Sequence, residues 1–199
     1  MIAITQIRTE HVKFAFVTAS GDSRLLPSYD MTAPAQTPVP LLVESPEPAD
    51  AGACWGLVKA TRVLDVNSRY AYALWFRDFA ATSVVARIDG EVAGFVTGFR
   101  RLDEPSTLFV WQVAVAETAR GCGVAGSMLD SLFDRVAGVD HLETTITPDN
   151  DGSIALFTAF ANRHGAPVRR SELFGPDVLG AEHLPEVLFQ IGPIPEGDV

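Results

Sequence analysis

The sequence predicts an α/β domain: a mixed, mostly antiparallel sheet with helices on both faces. Three observations predict it. Residues 83–99 form two β-rich runs around Asp89-Gly90, the pair that supplies the positive φ angles of a tight hairpin turn. Residues 107–115 form a near-continuous apolar run, as expected of a central strand covered on both faces. A glycine turn, Arg120-Gly121-Cys122-Gly123-Val124-Ala125, follows that run and opens a helix pattern. Hairpins then crossovers give a mixed sheet.

The remaining elements follow in order. Residues 41–44 read as a first strand, broken by Pro46 and Pro48. Asp50 is a candidate cap for a helix over about 50–59, and Asn67-Ser68 for a second over 69–80. After the glycine turn, Val124, Met128, Leu132 and Val136 recur every four residues with Leu129 and Phe133 beside them, a helix with one buried stripe. Residues 142–147 read as a strand and 148–153 as a turn and cap. Residues 154–163 read as a helix stopped by Gly165 and Pro167. A strand begins at Val168, 172–186 reads as a long loop, and 187–191 as the last strand.

At 199 residues, 47% of them hydrophobic, the chain suits one domain with a real core. Residues 1–38 are expected to be an N-terminal extension, with disorder and a short helix both open, since Thr32–Pro40 is a Pro/Ala/Thr linker. The domain is expected over 39–194, with a tail at 195–199. No run reaches the roughly 18 apolar residues of a membrane helix, and no secretory signal order is read. Cys54 and Cys122 show no metal spacing, so no metal is expected, and the default compartment is a reduced cytoplasm. A net charge of −10 with only two lysines argues against nucleic acid or an anionic membrane as partner. It suits a cationic small molecule, or solubility alone.

The glycine turn sets the chemistry. Strand, glycine turn and helix N-terminus together aim several backbone N–H groups and the positive end of a helix dipole at one point, where a phosphate fits. The turn lacks the Gly-Lys-Ser/Thr of a P-loop and the partner acid of a dinucleotide fingerprint. A purely structural turn stays open on this evidence.

The order of elements, with Arg120-x-x-Gly123-x-Ala125 and Asn150-x-x-Ser153-x-x-Leu156-Phe157, resembles the GNAT superfamily of N-acetyltransferases. Within it, Asp65-Val-Asn-Ser-Arg-Tyr70-Ala-Tyr72, Phe109-Val-Trp111-Gln112 and Phe189-Gln-Ile-Gly-Pro193 resemble the diaminobutyrate acetyltransferases of ectoine biosynthesis. The resemblance covers about residues 42–194.

It implies acetyl-CoA as cosubstrate, a small diamino acid as acceptor, a homodimer and a splayed central strand. It places the cofactor on Val113, Ala114, Val115, Arg120, Gly121, Gly123, Val124, Ala125, Gly126, Asn150 and Phe157. The backbone N–H of Val113 becomes the oxyanion donor, the kind of preorganised group such a reaction needs. Asp65, Tyr70, Tyr72, Trp111, His183 and Glu186 become acceptor-binding candidates, with Asp65 and Glu186 also candidate catalytic groups.

Plainer readings stand beside these: Asp65 as a turn cap, Trp111 as core, His183 as a surface loop residue. Glu143 is a further candidate base, and Arg69 and Arg77 are candidates for an acceptor carboxylate. Phe157 stands where many relatives carry a tyrosine acid, so the thiolate's proton donor is open, with Tyr70 and Tyr72 as candidates. Acetyl transfer to another amine or a protein N-terminus, and non-catalytic acyl-CoA binding, are the competing functions.

Overall fold

The computed structural model describes residues 41–61 and 66–195. The readings of the N-terminal extension and of Asp65 lie outside these residues. The described chain forms one seven-stranded sheet, of order β1-β2-β3-β4-β5-β7-β6. The strands are β1 (Leu42–Glu44), β2 (Val84–Ile88), β3 (Glu91–Arg100), β4 (Thr107–Val115), β5 (His141–Ile146), β6 (Val168–Phe174) and β7 (Glu186–Ile191). Every neighbouring pair is antiparallel except β4 and β5.

Helices α1 (Ala51–Thr61) and α2 (Arg69–Asp78) cover one face, and α3 (Val124–Arg135) and α4 (Asp151–Arg163) the other. The apolar residues sort accordingly. Cys54, Val58, Tyr72 and Phe76 close on Val85, Phe95 and Ala114. Met128, Leu129, Leu132, Phe157 and Phe160 close on Val84, Val96, Leu108, Val110 and Val113. A strand's side chains alternate between its two faces, so the sheet is buried from both sides.

The local signals act as their chemistry requires. Ser68 Oγ accepts the Ala71 N–H at 3.1 Å and starts α2, and Asn150 Oδ1 accepts the Ser153 N–H at 3.1 Å and starts α4. Asp89 and Gly90, with φ of 52° and 80°, turn β2 into β3. Asp50 does something other than the expected capping of α1. Its carboxylate accepts the Glu47 N–H at 2.9 Å and meets the Arg87 guanidinium at 2.8 Å, joining the turn before α1 to β2.

The expected long loop over 172–186 is largely ordered. β6 runs on to Phe174 because Glu172 pairs with Val187 and Phe174 with Glu186. A short helix, α5 (Pro176–Leu179), follows. The partner strand supplies these pairings, and nothing local announces them.

Two irregularities in β4 position the site. Its pairing with β5 spans only 107–109 against 141–143, so the two strands part beyond Phe109. Opposite β3 the register slips: Thr97 pairs with Gln112 and Gly98 with Val110. Trp111 is therefore the extra residue of a β-bulge, which bends the strand and re-aims its side chains.

Candidate active site

The gap beside β4 is chemically open backbone. Ala116 donates its N–H to Ala93 O of β3 at 2.7 Å. Main-chain groups alternate direction along a strand, so the N–H and C=O groups of Val113 and Val115 point away from β3, into the gap. Arg120 Nε meets the Val115 carbonyl there at 3.3 Å.

The glycine turn closes the same gap. Gly121 and Gly123 have φ of 75° and 79°, the left-handed region that favours glycine. Gly123 stands at the start of α3 in that conformation, and a Cβ added to either would meet nothing within 4 Å. The space above the turn is clear, and the first N–H groups of α3 face it. A cleft of about 290 Å³ results, lined by Val113, Val115, Arg120, Gly121, Gly123, Val124, Ala125 and Gly126 of the expected set. Thr61, Ala119, Leu156 and Arg163 complete the lining.

Three expected cofactor residues stand elsewhere. Ala114 directs its side chain to the α1/α2 face. Asn150 is the α4 cap. Phe157 is fully buried in the core, while its neighbour Leu156 reaches the cleft. Lining residues Thr61 and Arg163 escaped sequence reading because each lies at the C-terminal end of a helix. A cation there is ordinary and marks no site.

Of the acceptor candidates, Tyr70 and Tyr72 stand on α2 and Trp111 packs against it. Trp111 packs tilted against Trp75 of α2, with ring centroids 4.5 Å apart. Tyr72, 1% exposed, donates its hydroxyl to Gln112 Oε1 at 2.8 Å. Burial pushes the Tyr72 phenol pKa above its ordinary value against the opposing bonds from Asn67 and Gln112. Tyr70 is 73% exposed on the first turn of α2.

Glu186 opens β7 on the same sheet face as Leu188 and Gln190, by strand alternation. It is buried, and its Oε2 has no hydrogen-bond partner among the described residues. His183 lies in the preceding loop, with Nδ1 2.6 Å from the Leu184 carbonyl. Glu143 is engaged: its carboxylate accepts from Arg101 at 2.9 Å and from Gln190 at 2.8 Å. Arg77 pairs with Asp78 on the surface, and Arg69 lies over the Trp55 ring at 4.3 Å. Cys54 is buried, Cys122 exposed, and both are free thiols.

A strand that parts from its neighbour beside a glycine turn at a helix N-terminus defines an acetyltransferase cofactor cleft. The chain belongs to the GNAT acetyltransferase family, whose profile, described as Acetyltransferase (GNAT) family, matches residues 53–161. It is similar to the L-2,4-diaminobutyric acid acetyltransferase of Nocardia farcinica, 51% identical over 155 residues that cover 77% of this chain and 80% of that one. The namesake from Streptomyces coelicolor is 51% identical over 162 residues, 79% and 95% of the two chains. Among solved structures it resembles the diaminobutyrate acetyltransferase EctA of Paenibacillus lautus, in complex with L-2,4-diaminobutyric acid and coenzyme A. That likeness has a TM-score of 0.76 and 36% identity, and covers 81% of this chain and 99% of that one.

Proposed function

We propose that this protein transfers an acetyl group from acetyl-CoA to the 4-amino group of L-2,4-diaminobutyrate, by direct attack of the amine. The observation that carries the reading is the cleft itself: outward-facing β4 backbone at Val113 and Val115, continuous with the N-terminus of α3. The likeness to curated diaminobutyrate acetyltransferases supports the acceptor.

Acetyl-CoA supplies the activated acetyl group, and the chain's own residues do the rest. Turn 120–126 holds the pyrophosphate on backbone N–H groups, with Gly121 and Gly123 keeping its approach clear. Val113 and Val115 hold the pantetheine arm as a strand would. The Val113 N–H faces the acetyl carbonyl oxygen, which gains negative charge as the amine adds; collapse of that adduct breaks the C–S bond and releases CoA as the thiolate, which takes its proton from solvent.

An alkylamine of pKa roughly 10 is about 0.1% neutral at pH 7, so a proton must leave before attack. In this reading the proton goes to the buried Glu186 carboxylate, whose Oε2 has no hydrogen-bond partner among the described residues. Tyr70 and His183 flank the acceptor, Trp111 packs on its aliphatic stem, and Tyr72 holds the bulged strand beneath it; Asp65 stays an acceptor-binding candidate through the family resemblance. In this reading the product feeds ectoine biosynthesis and osmoprotection in the cytoplasm. The protein works as a homodimer joined through the edge strand β6, where Leu173 and Phe174 stand exposed next to Val178 of α5.

The test is release of CoA thiol from acetyl-CoA with diaminobutyrate, other small diamines, a peptide N-terminus and no acceptor. Diaminobutyrate is expected to give the largest kcat/KM, with the acetyl group on N4 by NMR. Release no faster than the blank with diaminobutyrate would overturn the reading.

A further inference from the structure

The cleft holds a cation that the glycine turn does not account for. Arg163, the last residue of α4, lines the same cleft as Gly121 and Gly123. Its guanidinium lies against the first turn of α3, where a Cβ on Gly126 would meet Nη2 at 3.5 Å.

The guanidinium is held in place. Nε donates to Asp130 Oδ2 at 3.0 Å and Nη2 to Asp130 Oδ1 at 2.9 Å, the fork geometry that fixes an arginine plane. His164 Nε2 lies 3.0 Å from the same Asp130 oxygen and its ring packs tilted against Phe160, centroids 4.3 Å apart, steadying the carboxylate. Both bonds to Asp130 use Nε and Nη2. Among the described residues Nη1 has no acceptor, so its two N–H groups are left for another.

Coenzyme A carries phosphate in two separate places, the pyrophosphate and the ribose 3′-phosphate. The helix N-terminus and the turn answer the first. Among the described residues the cleft lining contains two cations, Arg120 and Arg163, and no acid. Arg120 belongs to the turn, with its Nε on the Val115 carbonyl. We infer that Arg163, oriented by Asp130, binds the 3′-phosphate of the cofactor and makes the protein prefer coenzyme A to 3′-dephospho-coenzyme A.

This rests on the cleft being the acetyl-CoA site, so the test separates the two. Calorimetric titration of the full chain with CoA and with dephospho-CoA reads the preference directly. CoA should bind about tenfold or more tightly, a factor equivalent to about 1.4 kcal/mol. Arg163→Gln should bring the two Kd values together by weakening CoA alone, and Arg163→Lys should keep part of the preference as a point charge. Equal affinities in the unchanged protein would overturn the assignment whatever the variants do. So would Arg163→Gln weakening both ligands by one factor, the pattern of a merely structural ion pair. Gly123→Val reports on the cleft itself: if it leaves CoA affinity unchanged, the site reading fails, whereas failure of Arg163 alone leaves that loss intact.

Discussion

The Tyr72 hydroxyl donates to Gln112 Oε1 at 2.8 Å, both groups buried, and so ties α2 to the strand that carries Val113. The bond joins the second helix to the residue that follows the bulged Trp111. Position on β4 therefore depends on a contact between residues forty apart in the chain.

Tyr72→Phe should cost about 1–3 kcal/mol, since Gln112 Oε1 is left buried without its donor. Replacing both partners, Tyr72→Phe with Gln112→Met, should recover part of the loss, and urea unfolding of the four proteins measures the coupling. The titration has a sign. The folded phenol pKa lies above its ordinary 10.0, so the contribution is fully present below pH 10 and is lost as pH rises from there through the folded value. Stability of the unchanged protein should fall more steeply above pH 10 than that of Tyr72→Phe. Parallel curves would show that Tyr72 does not titrate in this way.

Gly123→Val should weaken acetyl-CoA binding at least tenfold. A β-branched side chain would fill the clear space above the turn, and a φ of 79° costs a non-glycine residue about 1–2 kcal/mol. Calorimetry gives the first effect and urea unfolding the second. Unchanged affinity would remove the phosphate cradle from the turn.

Glu186→Gln keeps the shape and removes the charge. The KM for diaminobutyrate should rise well above tenfold while that for acetyl-CoA changes little, and kcat should fall if the carboxylate takes the amine's proton. Stability should hold or rise, because the buried Oε2 has no partner to lose among the described residues. Equal changes in both KM values would indicate a folding role.

The two thiols should differ sharply. Burial, then the nearby Asp50 charge, pushes the Cys54 thiol well above the ordinary range, whereas Cys122 is exposed between Gly121 and Gly123. An aromatic disulfide reagent at pH 8 should titrate one thiol in the folded protein and two in urea. Saturating acetyl-CoA, which has no free thiol, should slow the fast one. No protection would place the cofactor away from the turn.

Leu173→Glu with Phe174→Glu should convert a homodimer to monomers in light scattering after gel filtration, if β6 is the joining edge. A dimer that persists would move the interface elsewhere.

Much of this protein was legible in its sequence because the signals were local. The Asp89-Gly90 hairpin, the Ser68 and Asn150 caps, the buried stripe of α3 and the glycine turn each act within a few residues, so pattern alone places them. The tertiary structure decided whatever depends on a distant partner. The pairing of β6 with β7 turned the two ends of an expected loop into strand. Ion pairs and a ring contact engaged Glu143, Arg77 and Arg69, each with a neighbour that composition does not rank above solvent. Packing put Arg163 at the cleft and Phe157 in the core. The parting of β4 from β5 belongs to the same group: a strand's sequence sets which residues pair well, but only the assembled sheet fixes where pairing stops. The stretch of β4 left without a partner strand there lines the cleft.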